Sequence, residues 1–367
     1  MIVLFPAIAF GQTDYYMKDT LVAVGIKLVD NGNLENSKFC QVKNKKGIIK
    51  YSPDEIDEYG FKDGRVYVSK EIQVSDSVKK FFLLRLAEGE TTLYSLSGTG
   101  KKRFFIEKDS SKLFELQKFD PENDHRSFND YLVGFSSDCP QVNDAAKLVS
   151  YNNGSLTKFI RRYNNCDGRP FPHFKYGAML GLELTRLIPT SVEENAYLKL
   201  FDFKYDAGYS FGLFIDHPIL VSDFSLHLEA YYSQHRFQLY QHSNGNDYDF
   251  AGNLSSIKVP LMIRYTYPTN KIRPFLNAGG IFSFAIENRY SIYEATIGEG
   301  VIEIDRINES PQFDTSQMGY TLGAGIEYKL NYRQSLFFEL RTNKLYGFSG
   351  PKALNSSEIY FTTGINF

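Results

Sequence analysis

From position 173 to the last residue, apolar and polar residues alternate with a period of two. In the first stretch Phe174, Tyr176, Ala178, Leu180, Leu182 and Leu184 share one face, opposite Lys175, Gly177, Met179, Gly181, Glu183 and Thr185. A second stretch sets Ala207, Tyr209, Phe211, Leu213 and Ile215 against Gly208, Ser210, Gly212 and Asp216. A third sets Phe224, Leu226, Leu228, Ala230 and Tyr232 against Ser225, His227, Glu229 and Ser233. A fourth sets Ile257, Val259, Leu261, Ile263 and Tyr265 against Lys258, Met262, Arg264 and Thr266. FLNAGGIFSFAI follows Arg273-Pro274 as a fifth, residues 318–330 alternate as a sixth, and Leu336, Phe338 and Leu340 oppose Glu339 and Arg341 in a seventh. The closing SSEIYFTTGINF supplies an eighth. Period-two alternation of this kind predicts β-strands with two chemically distinct faces.

Eight strands, one face apolar and the other carrying glycine, hydroxyl and charge, have the pattern of a transmembrane β-barrel. A soluble lipocalin-like barrel has the same alternation with the apolar face inward. Three features favour the membrane reading. Short connections (DHPILVSD, PTNK, NYRQ) alternate with long ones at 190–204, 238–254, 288–316 and 344–356. Phe174, Tyr176, Phe224, Tyr265, Tyr267, Tyr328 and Phe367 collect at strand ends on the short-turn side, as an interfacial girdle does. Within the central spans charge is confined to the polar face, which carries Lys175, Glu183, Glu229, Lys258, Arg264, Glu327, Lys329, Glu339 and Arg341, with both signs in near balance. The eighth strand is expected to pair with the first, which closes the sheet and removes its edges.

Upstream, residues 12–120 hold β-type runs (TLVAVGIKLV, GIIKYS, GRVYVS, KKFFLLRLAEGETTLYSLSG, KKRFFIEKD) broken by turn chemistry at Asn31-Gly32, Lys46-Gly47, Asp63-Gly64 and 98–100. They predict a small domain of meandering hairpins. Residues 121–172 form a polar helical segment and linker, ending in Asp167-Gly168-Arg169-Pro170-Phe171-Pro172. Cys139 and Cys166 bracket two short helices, with Ala145 to Val149 in the first and Ser155 as N-cap before Leu156 in the second. In an oxidising compartment these cysteines are expected to form a disulfide, with buried thiols or a metal site as the alternatives. Cys40 is left over and expected to be buried. Residues 1–11, MIVLFPAIAFG, read as a clipped signal peptide: an apolar run before small residues, without the basic segment that usually precedes it.

Composition narrows the function. The chain has 26 Tyr and 31 Phe but no Trp, and a net charge of −2, which gives no electrostatic case for nucleic acid. No apolar run is long enough for a membrane-spanning helix. The polar-face charges are expected to pair inside the barrel, since eight strands leave room only for side chains. Gly177, Gly181, Gly319, Gly323 and Gly325 are expected to make room for bulky lumen residues. Six histidines are present, yet no Ser/His/acid constellation, Walker loop or Cys-x-x-Cys emerges, so no catalytic residue, cofactor or metal is assigned. The acidic, aromatic loop 288–314 is the most function-like element, and its ATIGEGVIEIDRI core is expected to extend a hairpin beyond the membrane.

KVPLMIRYTYP (258–268), IRPFLNAGGIFSFAI (272–286), YTLGAGIEYKL (320–330) and the terminal TTGINF resemble the Bacteroidetes outer-membrane β-barrel group that includes the PorT-like proteins. TLVAVGIKLVDNG, YSPDEIDEYGF with GRVYVS, FFLLRLAEGETTLYSL, RFFIEKD and the SDCP…YNNC bracket resemble uncharacterised barrel proteins of that phylum. The resemblance implies an exported protein with residues 173–367 in outer-membrane lipid and an N-terminal module in the periplasm. It implies no catalytic residues. It also implies that the aromatic end, Phe361, Ile365 and Phe367, is read by the barrel-assembly machinery. The expected role is non-enzymatic, as a structural, adhesive or accessory subunit of an envelope protein complex. A lipid-modifying barrel enzyme and a soluble binding barrel are the competing readings.

Overall fold

The computed structural model describes residues 13–74, 77–98, 102–109, 112–118, 127–189, 200–297, 302–307, 315–347 and 354–367. The chain forms two compact units, Met1–Gly168 and Arg169–Phe367. The proposed signal peptide lies outside the described residues.

The first unit is a ten-stranded antiparallel sheet among the described residues. Its strands are β1 (Asp14–Lys18), β2 (Leu21–Leu28), β3 (Cys40–Asn44), β4 (Gly47–Tyr51), β5 (Glu58–Gly60), β6 (Val66–Val74), β7 (Ser77–Ala87), β8 (Thr91–Ser97), β9 (Lys102–Lys108) and β10 (Phe114–Leu116). In space they run β10-β9-β8-β7-β6-β5-β1-β2-β3-β4. Two meanders are thus joined where Tyr16 of β1 faces Tyr59 of β5. The run Phe81 to Leu84 in β7 is apolar at consecutive positions because both faces of the sheet are covered there. Phe82 enters a core with Cys40, Ile56, Tyr59 and Tyr67, while Leu83 enters another with Ile72, Tyr94 and Phe105. The Tyr59 and Tyr67 rings stack at 5.0 Å, Phe82 meets Tyr59 edge-on, and the Tyr59 hydroxyl donates to the Asn36 carbonyl at 2.5 Å. Asn31-Gly32 ends the β run as its turn chemistry predicts, though the chain goes into a helical turn there. Gly32 has φ +82° and starts this single turn, α1 (Asn33–Asn36).

Three helices complete this unit: α2 (Phe128–Phe135), α3 (Pro140–Ala146) and α4 (Asn153–Asn164). Ser127 and Asp130 cap α2 through the Ser127 N–H, which donates to Asp130 Oδ2 at 2.9 Å. The N-cap of α4 is Asn152 and not Ser155: Asn152 Oδ1 accepts the Ser155 N–H at 2.9 Å. Asparagine caps as well as serine does, so the helix begins earlier and Ser155 is buried within it. Cys139 and Cys166 are joined in a disulfide across 27 residues, which removes the free-thiol and metal alternatives. Cys40 is free and buried, and burial pushes its thiol up to about 12. The helices are fixed to the sheet. Asn164 both accepts from the Thr91 N–H (3.0 Å) and donates to the Thr91 carbonyl (2.8 Å), and Tyr151 donates to the Leu116 carbonyl at 2.6 Å.

The second unit is a closed antiparallel barrel. Its strands are β11 (Lys175–Pro189), β12 (Asp206–Pro218), β13 (Phe224–Ser243), β14 (Asn246–Thr266), β15 (Ile272–Ile297), β17 (Ser316–Lys329), β18 (Ser335–Gly347) and β19 (Leu354–Asn366), and β16 (Ile302–Ile307) is added to the far end of β15. Around the ring each strand pairs with the next in sequence, except that β17 pairs with β15 because β16 lies on the far end of β15. β11 pairs with β19 from Gly177↔Asn366 to Pro189↔Leu354, which closes the ring. The lipocalin-like alternative fails on polarity: Leu182 is 68% exposed outside the barrel, whereas Glu183 beside it is fully buried inside.

The connection 238–254 is not a loop. β13 and β14 continue through it and turn at Asn244-Gly245, where both residues have left-handed φ (+54° and +85°). An Asn-Gly pair is the strongest local signal for such a two-residue hairpin. β18 and β19 likewise extend well into 344–356. In the loop 288–314, β15 runs on to Ile297 and pairs with β16, as the ATIGEGVIEIDRI pattern predicts. Its remaining residues lie outside the described set.

Candidate functional site

The interior of the barrel alternates charge with aromatic rings. Phe214, Tyr231, Phe275 and Phe337 point inward, although they lie on faces assigned by sequence to polar residues. Each stands directly across the ladder from a glycine: Phe214 from Gly177, Tyr231 from Gly212, Phe275 from Gly325 and Phe337 from Gly364. A Cβ on Gly177 or Gly325 would come within 2.6 or 2.4 Å of the facing ring. Gly177, Gly212, Gly325 and Gly364 therefore make the room that lets bulky rings fill a narrow lumen, whereas Gly181 and Gly323 face polar side chains and Gly319 the Lys344 backbone.

The charges sit between these rings in three groups. At the short-turn end, Lys175 Nζ meets Glu327 at 2.7 Å, Arg273 approaches the same carboxylate at 3.6 Å, and the Ser335 hydroxyl bonds Glu327 and Asn366. In the middle, Arg341 holds Glu229 with two nitrogens at 2.5 and 2.6 Å and reaches Glu339 through Nε at 2.8 Å. Arg264 links Glu339 (3.4 Å) to Asp216 (3.6 Å), and His227 lies between Asp216 (3.1 Å) and Glu229 (2.9 Å). Towards the long-connection end, Lys258 bridges Glu358 (2.8 Å) and Glu183 (3.4 Å) and donates to the Tyr360 hydroxyl at 2.5 Å. Lys329 lies half-buried beyond the first group. A buried charge is tolerated only when paired and hydrogen-bonded, and these groups supply such partners.

Asp216, Arg273 and Glu358 belong to this network but not to the set chosen from sequence. Glu358 was readable by carrying the alternation of the last strand two residues further back. Alternation also places Asp216 on the polar face of its strand, whereas Arg273 precedes the stretch read as the fifth strand.

Sequence reasoning also missed a cluster of Ser233, His235 and Glu183. Ser233 donates to Glu183 at 2.6 Å, and His235 Nε2 lies 2.7 Å from Glu183 and 3.2 Å from the serine hydroxyl. A hydrolytic triad needs the base to face serine with one nitrogen and the acid with the other. Here the same nitrogen faces both, and Nδ1 has no partner. The cluster has the geometry of a packed polar network.

Two small cavities flank the network. One, of about 60 Å³, lies among Thr185, His235, Lys258, Ser283 and Glu358. The other, of about 50 Å³, lies among His173, Lys175, Asp216 and Arg273. Either is large enough for only a few waters. Above the first, Phe201 and Phe203 fold onto Phe237, Phe250 and Ile292 of the extended strands, giving the long-connection end its own apolar core. Among the described residues, no group of three His, Cys, Asp or Glu side chains could hold a metal ion.

On the outside, Phe174, Tyr176 and Phe367 form a ring-to-ring series at the short-turn end, and Phe224 packs on Tyr265. Phe361 faces outward and Ile365 is half-buried. The Phe367 N–H donates to the Tyr176 carbonyl at 2.8 Å, so the last residue is tied to the first strand.

A closed barrel with an apolar exterior, an aromatic girdle and a charged, filled interior defines the class of outer-membrane β-barrels. Residues 168–349 match the family described as outer membrane protein beta-barrel domain, which supports an outer-membrane location. Solved structures similar to the chain include Ail, the attachment invasion locus protein of Yersinia pestis, in complex with the heparin analogue sucrose octasulfate. It has 11% identity and a TM-score of 0.26 over 53% of this chain and 99% of that one. Neisserial surface protein A has 12% identity and a TM-score of 0.28 over 52% and 95%. OprG from Pseudomonas aeruginosa has 11% identity and a TM-score of 0.32 over 54% and 97%. The search of curated proteins found no match. The barrel assignment rests on strand register and polarity.

Proposed function

We propose that the chain is a non-enzymatic outer-membrane anchor and accessory subunit of a cell-envelope complex serving secretion, uptake or adhesion. The observation that supports this reading most is the interior: ion pairs and rings cross the lumen from wall to wall, as in a scaffold and not a pore. In this reading the first unit hangs in the periplasm, held by its disulfide in an oxidising compartment. The capped long-connection end faces outward. The resemblance of 258–268, 272–286 and 320–330 to PorT-like proteins of Bacteroidetes is the finer family reading, and the aromatic positions Phe361, Ile365 and Phe367 are its proposed assembly signal.

The test is extraction of the full chain from outer membranes in mild detergent, followed by identification of stably associated proteins. Co-purification with a large envelope complex is the expected outcome. Recovery only as a lone monomer would overturn the accessory role. Release from membranes by urea, with no change of gel mobility on boiling, would overturn membrane residence. The enzyme alternative predicts loss of a lipid-cleaving activity in S233A, whereas the packed-network reading predicts no change in any lipid product.

A further inference from the structure

The strand register brings two unpaired cations into one outward-facing row. Arg186 on β11 stands opposite Ser357 on β19, and Ser357 stands opposite Lys344 on β18. Tyr320 on β17 continues the row beside Lys344, and the Tyr205 hydroxyl lies 3.3 Å from Ser357 Oγ. Both cations are exposed, and among the described residues neither forms an ion pair. They are two strands apart, roughly 10 Å between backbones at the usual strand spacing. Two long cationic side chains can close that distance on a single anion.

What lies beneath the row indicates which anion. The next row towards the short-turn end is Leu184, Ile359, Thr342 and Leu322. Below it, on the same three strands, is a shallow groove of about 510 Å³ walled by Leu180, Leu182, Phe338, Leu340, Phe361 and Thr363. Cations therefore sit above a furrow sized for hydrocarbon, with one further exposed apolar row, Ile188, Tyr346 and Met318, beyond them. A free inorganic anion would use the cations and ignore the furrow, whereas a phosphorylated amphiphile uses both.

We propose that the β11–β19–β18 face binds one phosphorylated lipid of the leaflet at the long-connection end. Arg186, Ser357 and Lys344 take the phosphate and the groove takes an acyl chain. A second outward row, Arg236, Asn253 and Arg289, is the internal comparison. There Glu287 already engages Arg289 at 3.1 Å and Asn253 at 3.1 Å, so much of its positive charge is answered within the protein. The inference requires membrane residence but not the accessory role.

The test uses the full chain in zwitterionic detergent micelles, with retained lipid counted by native mass spectrometry. The probe is monophosphoryl lipid A, compared with the same lipid after phosphatase treatment. Wild type should retain one phosphorylated molecule, and R186Q/K344Q should bind it at least tenfold more weakly. The dephosphorylated lipid should bind both proteins equally and weakly. R236Q/R289Q should bind as wild type does. Equal retention by wild type and R186Q/K344Q would overturn the proposal, as would displacement of the lipid by an equal concentration of inorganic phosphate. T363W, which fills the groove, should weaken lipid binding while preserving the preference for phosphate, and unchanged affinity would remove the groove from the site. Gel mobility before and after boiling reports that each variant is folded.

Discussion

The two units bury opposite chemistry. The first closes over Tyr59, Tyr67, Phe82 and Leu83, and Arg162 is the charged side chain it buries among the described residues. The barrel closes over Glu229, Arg341, Glu339 and Arg264 and turns Leu180, Leu182, Leu213 and Leu340 outward. Both use antiparallel strands with period-two alternation, so the inversion reflects the solvent around each unit and not strand geometry. In water, apolar burial drives closure. In lipid the outer face is already satisfied by hydrocarbon, and the interior is free to hold polar groups provided they pair.

Five variants would break or sharpen this contrast. The largest effect is expected for R341M, which leaves the Glu229 and Glu339 carboxylates buried without their shared guanidinium. Breaking such a group costs about 3–5 kcal/mol, read as a lower urea midpoint for the barrel in lipid vesicles. Replacing all three (R341M/E229L/E339L) should recover most of that loss, and failure to recover would show that the network is needed for more than charge balance. In the first unit, L83A should cost about 3 kcal/mol, visible as earlier proteolysis of that unit in urea, because the loss there is packing and leaves no orphaned charge. C139S/C166S should lower the stability of the same unit by up to about 3 kcal/mol on chain-entropy grounds and leave the barrel midpoint unchanged.

The smallest effect belongs to the surface. Arg65 hydrogen-bonds Asp30 and lowers its carboxyl to about 2, below the ordinary value near 3.8. A depressed folded-state value means the stabilisation is present above about 4 and is lost as pH falls towards 2. D30N should therefore flatten the acid limb of the first unit's stability profile within that window. An unchanged profile would mean the pair contributes nothing measurable.

Much of the barrel was legible from the sequence because alternation is a local property. One residue of each pair meets lipid, its neighbour meets the lumen, and the disulfide follows from two cysteines bracketing short helices. Alternation could not say where strands end. Asn244-Gly245 was passed over because a long polar connection was expected there, yet this dipeptide alone specifies the hairpin that lifts β13 and β14 beyond the apolar belt. The inward rings were missed for a different reason. Phe214 and Phe337 break the polar pattern, and only their facing glycines, far away in sequence, explain how they fit.

By itself the sequence determined strand faces, the order of strands around the ring and the separation of two chemically different units. These depend on residues at i and i+2 or on short turns. Tertiary structure decided which charges meet, because Arg341 and Glu229 are 112 residues apart and their pairing depends on strand register. It also decided that Arg186 and Lys344 share one row. That adjacency exists only because the last strand lies between the first and the one before it, and pairing across a closed ring is a property of the whole barrel.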